Sequence, residues 1–178
     1  MSYAYFMASL PLLWLQGELP LTSPEFLDMG RRLLSAKDFR GLEAAMEGRL
    51  EEAGLPGLRR YVHAEIQLRD ALARLRAARA GVDANPFVRP FAGFDSAAES
   101  AAAAAMSATN PLERELSLDQ FRWGVLEEIS ALDAFGLVAV YSYGLRLQIA
   151  EKWQRLSEAQ GEIAVETIVK DNVAGIGL

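Results

Sequence analysis

Residues 61–81, YVHAEIQLRDALARLRAARAG, have the spacing of one amphipathic helix. Tyr61, Leu68 and Leu72 recur at helical intervals, and this period predicts a single buried face. Glu65 falls on the same face. An unpaired carboxylate in an apolar interior is strongly unfavourable, so we expect a basic partner for Glu65 inside the protein.

Two arginines lie beside buried positions of their predicted helices and are candidates for that partner. Arg69 follows Glu65 by one helical turn, and Arg122 lies in a later helix that also contains Glu127. We expect Arg69 and Arg122 to pair with Glu65 or Glu127 inside the bundle. These four residues form the predicted structural polar core.

The segment from residue 59 to residue 79 is basic although the chain is acidic. It has six arginines and two acids, a charge of +4, whereas the whole chain carries −6 and the remainder therefore −10. Two interpretations stay open: these arginines solvate a helix face, or they form a docking surface for an acidic partner. Trp153 lies among charged residues, as interface anchors often do. The predicted protein-interface residues are Arg59, Arg60, Arg74, Arg76, Arg79, Trp153 and Arg155.

The composition is that of one globular domain without a metal or redox centre. The chain has 178 residues, 51% hydrophobic and 24% charged, which suits a single helical domain spanning 1–178. It has no cysteine and one histidine, so disulfides and thiolate or histidine-rich metal sites are excluded. No phosphate-binding glycine loop, nucleophile elbow, zinc-protease or EF-hand pattern occurs. We expect no catalytic residue, no cofactor and no enzyme activity, and the negative charge disfavours nucleic acid.

Neither apolar segment of the sequence has the features of a membrane span. Residues 3–15, YAYFMASLPLLWL, lack a basic flank and contain a proline, so we interpret them as part of the folded protein. The second run, residues 135–143, is shorter than the ~20 residues that cross a bilayer. The lack of cysteine is typical of a reducing compartment, and we expect a cytoplasmic protein.

Cap signals predict an all-α fold, a compact helical bundle of about six to seven helices. Thr22 precedes a proline and a glutamate, which predicts one helix start. Residues 35–38 predict the start of a second helix that ends at Gly54. Asn110 begins a later helix, and residues 117–120 offer a second cap within it.

Two segments between the predicted helices are less regular. Residues 82–95 contain two prolines and three phenylalanines, which predicts a loop whose aromatic side chains pack on the body. Residues 96–108 are mostly alanine and serine. They form either a helix in close contact with a neighbour or a weakly bound connector.

A long helix is predicted near the end of the chain. It starts at about Leu137, and its first half is apolar on nearly every side, which is typical of a helix in the centre of a bundle. Its second half is polar and includes Glu158, so we expect the helix to end near Gly161. A mobile C-terminal tail is expected from about residue 172.

Three segments resemble one protein family. They are YFMASLPLL at 5–13, YVHAEIQLRDALARLRAARAG at 61–81 and NPLERELSLDQFRWGVLEEISALDAFGLVAVYSYGLRLQIAEKWQRLSEAQG at 110–161. Together they resemble small bacterial proteins of unassigned function that are encoded among the genes of V/A-type (vacuolar-type) ATPases. The resemblance covers roughly residues 3–161, with the order and spacing of the three segments retained.

The two longer segments also resemble, more weakly, the socket subunit of V/A-type ATPases, which is designated C, or d in eukaryotes. That all-helical protein lies between the rotating central stalk and the membrane ring. This chain has Asp70 where the socket subunit often has asparagine, is about half as long, and lacks the threefold helical repetition. The residues that carry the resemblance are Glu65, Arg69, Asp70, Arg76, Ala77, Tyr141 and Glu151.

The resemblance implies a non-catalytic subunit or accessory protein of a bacterial V/A-type ATPase, an enzyme of proton or ion transport. Its implied place is between the central-stalk subunits and the membrane rotor ring, peripheral at the cytoplasmic face of the inner membrane. Two alternatives stay open. One is a transient assembly factor for that ATPase. The other is a helical carrier of an apolar ligand, with a cavity between the 137–150 helix and Phe87, Phe91 and Phe94.

Overall fold

The computed structural model describes residues 3–91 and 93–176, with side chains described for 3–91, 93–157 and 159. This part of the chain contains seven α-helices, two short 3-10 turns at Pro56–Leu58 and Asn85–Phe87, and no strand. The predicted all-α class is therefore confirmed. The helices are α1 (Tyr3–Ser9), α2 (Ser23–Leu33), α3 (Ala36–Met46), α4 (Arg59–Ala80), α5 (Ser96–Ser107), α6 (Pro111–Ala131) and α7 (Leu137–Ile176).

The helix starts follow the cap signals of the sequence. Thr22 forms a reciprocal capping box with Glu25 at the start of α2. The Ser35 hydroxyl accepts a hydrogen bond from the Asp38 N–H at 3.2 Å at the start of α3. The Asn110 side chain caps α6 in the same way. Each cap satisfies N–H groups that the first helical turn leaves unpaired.

Two predicted features of the earlier helices are wrong. α3 ends at Met46 and not at Gly54, because Gly48 adopts a left-handed φ of 80°. The Arg49 N–H then donates to the Ala44 carbonyl at 2.8 Å and closes the last turn. Residues 117–120 do not begin a new helix, because α6 is continuous from Pro111 to Ala131.

The last helix is longer than predicted. α7 is continuous from Leu137 to Ile176, so its expected end near Gly161 is wrong. A lone glycine costs a helix only about 1 kcal/mol relative to alanine and does not by itself end it. The helix includes residues 172–176, where we expected a tail, while residues 177 and 178 lie outside the described part.

The four longer C-terminal helices pack in succession, with α6 between α4 and α7 and α5 against both α4 and α6. Residues 96–107 are therefore a helix in close contact with its neighbours. Ala98, Ala102 and Ala105 are fully buried, and their small side chains let the α5 backbone approach α4 and α6. The α1, α2 and α3 helices cover α7 on its other side.

The apolar interior has two clusters. The larger surrounds the first half of α7 and receives Phe6, Phe26 and Leu42 from the three N-terminal helices. The smaller lies between α4, α5 and α6 and includes Leu68. Phe121 packs against both clusters, so the described helices share one continuous core. None of these helices combines the length and the apolar character that a bilayer crossing requires.

The 82–95 loop lies back along α4. The Arg89 N–H donates to the buried Asp70 carboxylate at 3.1 Å, and the Phe91 ring meets His63 edge to face with centroids 4.8 Å apart. Phe87 and Phe94, however, are 65% and 77% exposed, so the prediction that all loop aromatics pack on the body is wrong for these two. One backbone contact and one ring contact with α4 orient the loop but leave its outer side in solvent.

Candidate functional site

Asp119 is the centre of a buried polar network between α6 and α7. Its side chain is only 3% exposed. One carboxylate oxygen accepts a hydrogen bond from Arg122 Nη1 at 2.9 Å. The other accepts from Trp153 Nε1 at 3.0 Å and lies 2.5 Å from Lys152 Nζ. Both oxygens are therefore satisfied, which is the condition for keeping a charge in the interior.

Arg122 extends this network to α4. Its Nε donates to Glu65 Oε1 at 2.7 Å, so Glu65 has the basic partner expected from its place on the buried face. Burial lowers the pKa of Arg122, but the attraction of Glu65 and the hydrogen bonds to Glu65 and Asp119 outweigh it and raise that pKa above its ordinary value. The guanidinium therefore stays charged and joins α6 to α4, while Asp119 joins α6 to α7.

The other two predicted members of the polar core lie at the surface. Arg69 is 68% exposed, and its Nε is 3.6 Å from Glu65 Oε2. Glu127 is 55% exposed and accepts hydrogen bonds from Trp123 Nε1 at 2.9 Å and Arg146 Nη1 at 3.3 Å. The prediction that Glu127 lies in the core is wrong. Its neighbour Leu126 is on the buried face of α6, and Glu127 therefore points towards solvent.

The predicted interface anchor Trp153 is buried. It is 7% exposed, and its indole N–H is committed to Asp119, so the expectation of an exposed tryptophan is wrong. The reason is that α6 still covers α7 at this position. Arg155, two residues later, is exposed as expected of an interface residue. The exposed tryptophan of the described part is instead Trp14, at 65%.

Three of the predicted interface arginines are exposed but already contact other helices of the chain. Arg60 contacts Asp95 at 3.1 Å and Glu128 at 3.4 Å, which joins α4 to the start of α5 and to α6. Arg74 pairs with Glu99, and Arg79 donates to the Met106 carbonyl, both on α5. The other two predicted interface arginines of α4, Arg59 and Arg76, are exposed and form no ion pair with the described residues.

Tyr141 and Glu151, which carry part of the resemblance to the socket subunit, connect α7 to the N-terminal helices. The Glu151 carboxylate accepts from the Ser23 N–H at 2.6 Å and from its hydroxyl at 2.7 Å, and so caps α2 from a distance. The Tyr141 hydroxyl donates to the Asp38 carbonyl in α3. Both side chains therefore fix the packing of α7, a role that the sequence did not predict.

Stability is expected to fall at alkaline pH through Tyr143. Burial raises its pKa to about 12, whereas an unfolded tyrosine ionises at about pH 10. The contribution is fully present below pH 10 and is lost as the pH rises from about 10 to 12, because only the unfolded chain releases the proton there. Base titration followed by circular dichroism should show a shallower loss for Tyr143→Phe than for the wild type. Tyr5→Phe, at a 64% exposed position, is the control and should leave the loss unchanged.

The charged side chains at the centre of the described bundle are paired with one another. No group of three or more histidine, cysteine, aspartate or glutamate side chains is placed to bind a metal in this part of the chain. The acids of the polar network, Glu65 and Asp119, are each occupied by basic partners. What the network can do chemically is fix the relative positions of α4, α6 and α7.

The fold and this network define the chain as an all-α bundle with an internal polar network. A family model described as a protein of unknown function (DUF2764) matches residues 100–176, under half of the chain. The chain is similar to that family over most of α5 and all of α6 and α7, including Asp119 and Arg122. This agrees with the expected resemblance to a family of unassigned function. No curated protein and no solved structure matches the chain.

Proposed function

We propose that the protein is a non-catalytic subunit or accessory protein of a bacterial V/A-type ATPase, placed between the central stalk and the membrane rotor ring. Support from the sequence is the resemblance over three separated segments to proteins encoded with that ATPase. Support from the structure is the polar network that joins α4, α6 and α7 through Glu65, Arg122 and Asp119. This network is the observation that carries the proposal.

A coupling protein has to transmit force without letting its helices slide. Sliding α4 or α7 past α6 would separate Arg122 from Glu65, or Asp119 from Trp153. Separating a buried charge from its partner costs about 3–5 kcal/mol, far more than the loss of a surface pair. The tyrosine and glutamate contacts of α7 with α2 and α3 resist the same motion. A stiff bundle of this kind suits a spacer between moving parts.

The experiment is affinity purification of the tagged protein from its own membranes, followed by quantitative mass spectrometry. The proposal predicts central-stalk and membrane-ring subunits in a constant ratio to the tagged chain. Recovery should fall as the salt concentration rises, because exposed charges are screened within about 10 Å at 0.1 M salt. Absence of every ATPase subunit at low salt would contradict the proposal.

A transient assembly factor for the same ATPase is the second candidate. The same polar network and exposed arginines support it equally. It would be recovered with incomplete complexes and be absent from the purified, active enzyme. The carrier alternative has less support, because Phe87 and Phe94 are exposed and Phe91 lies on α4. The described residues therefore do not form the cavity between this loop and α7 on which a carrier would depend.

A further inference from the structure

Among the described helices, α5 and α6 make the extensive contacts with α4, which leaves one face of α4 without a closely packed helix. The helix packs chiefly against α5 and α6, which cover the sides bearing Tyr61, Leu68 and Ala71. Val62 and Ile66, one turn apart on the uncovered side, are only partly buried. Apolar side chains at this spacing are typical of a helix face that receives a partner.

The segment after α3 forms a wall beside this face. Leu50 and Glu51 line a surface depression with Val62 and Arg59, and the same two residues line a second depression with Ile66 and residues beyond it. The two depressions share Leu50, Glu51 and Val62 in their lining, so they adjoin along α4. We call the two together the α4 groove and define it by Leu50, Leu55, Val62 and Ile66 along its floor and Arg59, Arg69 and Arg89 at its rim.

The α4 groove is lined by charges of both signs, and the arginines outnumber the acids by one. Arg59 and Arg89 are exposed, and their guanidinium groups have no ion pair within the described residues. Arg69 is 68% exposed and only 3.6 Å from Glu65, a distance too long for a strong hydrogen bond. Four arginines and three glutamates line the two depressions, a balance of +1. Arg49 pairs with Glu52, and Glu51 has no ion pair among the described residues, so the unpaired groups are Arg59 and Arg89 against Glu51.

Glu65 connects the groove to the interior. Its Oε2 faces Arg69 at the rim, whereas its Oε1 accepts the 2.7 Å hydrogen bond from Arg122. The polar network therefore lies directly beneath the floor of the α4 groove and holds it in place. A binding surface that is preformed in this way loses less free energy to ordering when a partner binds.

We infer that the α4 groove is the docking site for an acidic amphipathic helix of a partner protein. The apolar floor would receive the apolar face of that helix, and the rim arginines would pair with acids flanking it. This inference rests on the proposed function, because the partner is sought among the subunits of a V/A-type ATPase. It goes further in naming the surface and the chemistry of the bound segment.

The first test is charge reversal at the rim. Arg59→Glu combined with Arg89→Glu removes the two unengaged arginines and leaves the Glu65 contacts intact. We expect about tenfold lower recovery of the partner subunits, with unchanged helicity. The matched control is Arg32→Glu with Arg40→Glu, at two exposed arginines of α2 and α3, and should recover the subunits at the wild-type level. Equal recovery by both double variants would overturn the inference.

The second test identifies the occupant. Because the chain has no cysteine, Glu51→Cys gives a single attachment point for a photo-reactive benzophenone at the groove. In native membranes we expect the benzophenone to form adducts with one ATPase subunit. The attachment site on that subunit should map to an acidic amphipathic helix. Adducts with a second copy of this chain would overturn the inference. So would the absence of any adduct in membranes from which the wild type recovers the ATPase. Either result leaves the proposed function standing. If the wild type recovers no ATPase subunit, the proposed function fails. In that case an adduct with an acidic helix of another protein would still support the groove, and no such adduct would overturn it.

Discussion

Asp119→Ala is expected to lower the free energy of unfolding by about 3–5 kcal/mol, the range for removing one partner of a buried ion pair. The substitution leaves the Arg122 guanidinium with one partner fewer and the buried Trp153 N–H with no acceptor. Because small domains are stable by only about 5–15 kcal/mol, this loss is a large fraction of the total stability. Urea denaturation followed by circular dichroism measures the change.

The control for this substitution is Glu115→Ala, one turn earlier on α6. Glu115 is 49% exposed and contacts Lys152 at 3.0 Å, so its loss should cost less than about 1 kcal/mol. The same charge is removed from the same helix in both variants. Similar small losses for Asp119→Ala and Glu115→Ala would show that the polar network does not stabilise the bundle.

Gly41→Ala should be the second most damaging substitution. A methyl group at this position would overlap the Tyr141 hydroxyl and lie 2.6 Å from the Ala53 carbonyl oxygen. Overpacking of this kind typically costs about 1–3 kcal/mol and would displace Tyr141 from the Asp38 carbonyl. Thermal unfolding by differential scanning calorimetry should show a lower midpoint for the variant.

Gly124→Ala is the matched control, because the same methyl group there meets nothing within 4 Å. Gly124 lies inside α6, where alanine is favoured over glycine by about 0.5–1 kcal/mol. The two substitutions should therefore shift the midpoint in opposite directions. A stabilising effect at both positions would mean that α3 and α7 are not in close contact at Gly41.

Helix starts could be predicted from the sequence better than helix ends. The caps at Thr22, Ser35 and Asn110 act within one turn, so their residues are neighbours in the chain. An end depends on which glycine first adopts the left-handed conformation, and Gly48 does so before Gly54. Gly161 does not end α7 at all. Local sequence therefore identifies where a helix starts, whereas competition between several possible glycine stops decides where it ends.

The polar network could be predicted only in part. Glu65 was predictable because a charge on a buried helix face requires a partner, and Arg122 is that partner. Asp119 was missed, although its place three residues before Arg122 was the available signal. The burial of Trp153 depends on where α6 crosses α7, which the sequence of α7 alone does not contain.

The arginines of α4 show the same limit. Whether an arginine is available for a partner depends on acids and carbonyls far along the chain, such as Glu99 for Arg74 and Met106 for Arg79. Local spacing does not distinguish these two from Arg76, which forms no ion pair with the described residues. The α4 groove could not be predicted either, because one of its walls comes from the segment after α3.

Cryo-electron microscopy of the rotary ATPase, purified from wild-type cells and from cells lacking this chain, tests the proposed role most directly. The wild-type map should contain a bundle of seven helices between the central stalk and the membrane ring. The α4 groove should be filled by an acidic helix of a neighbouring subunit, and the bundle should be missing from the second map. Two identical maps, from membranes in which the chain is abundant, would contradict its role as a coupling subunit.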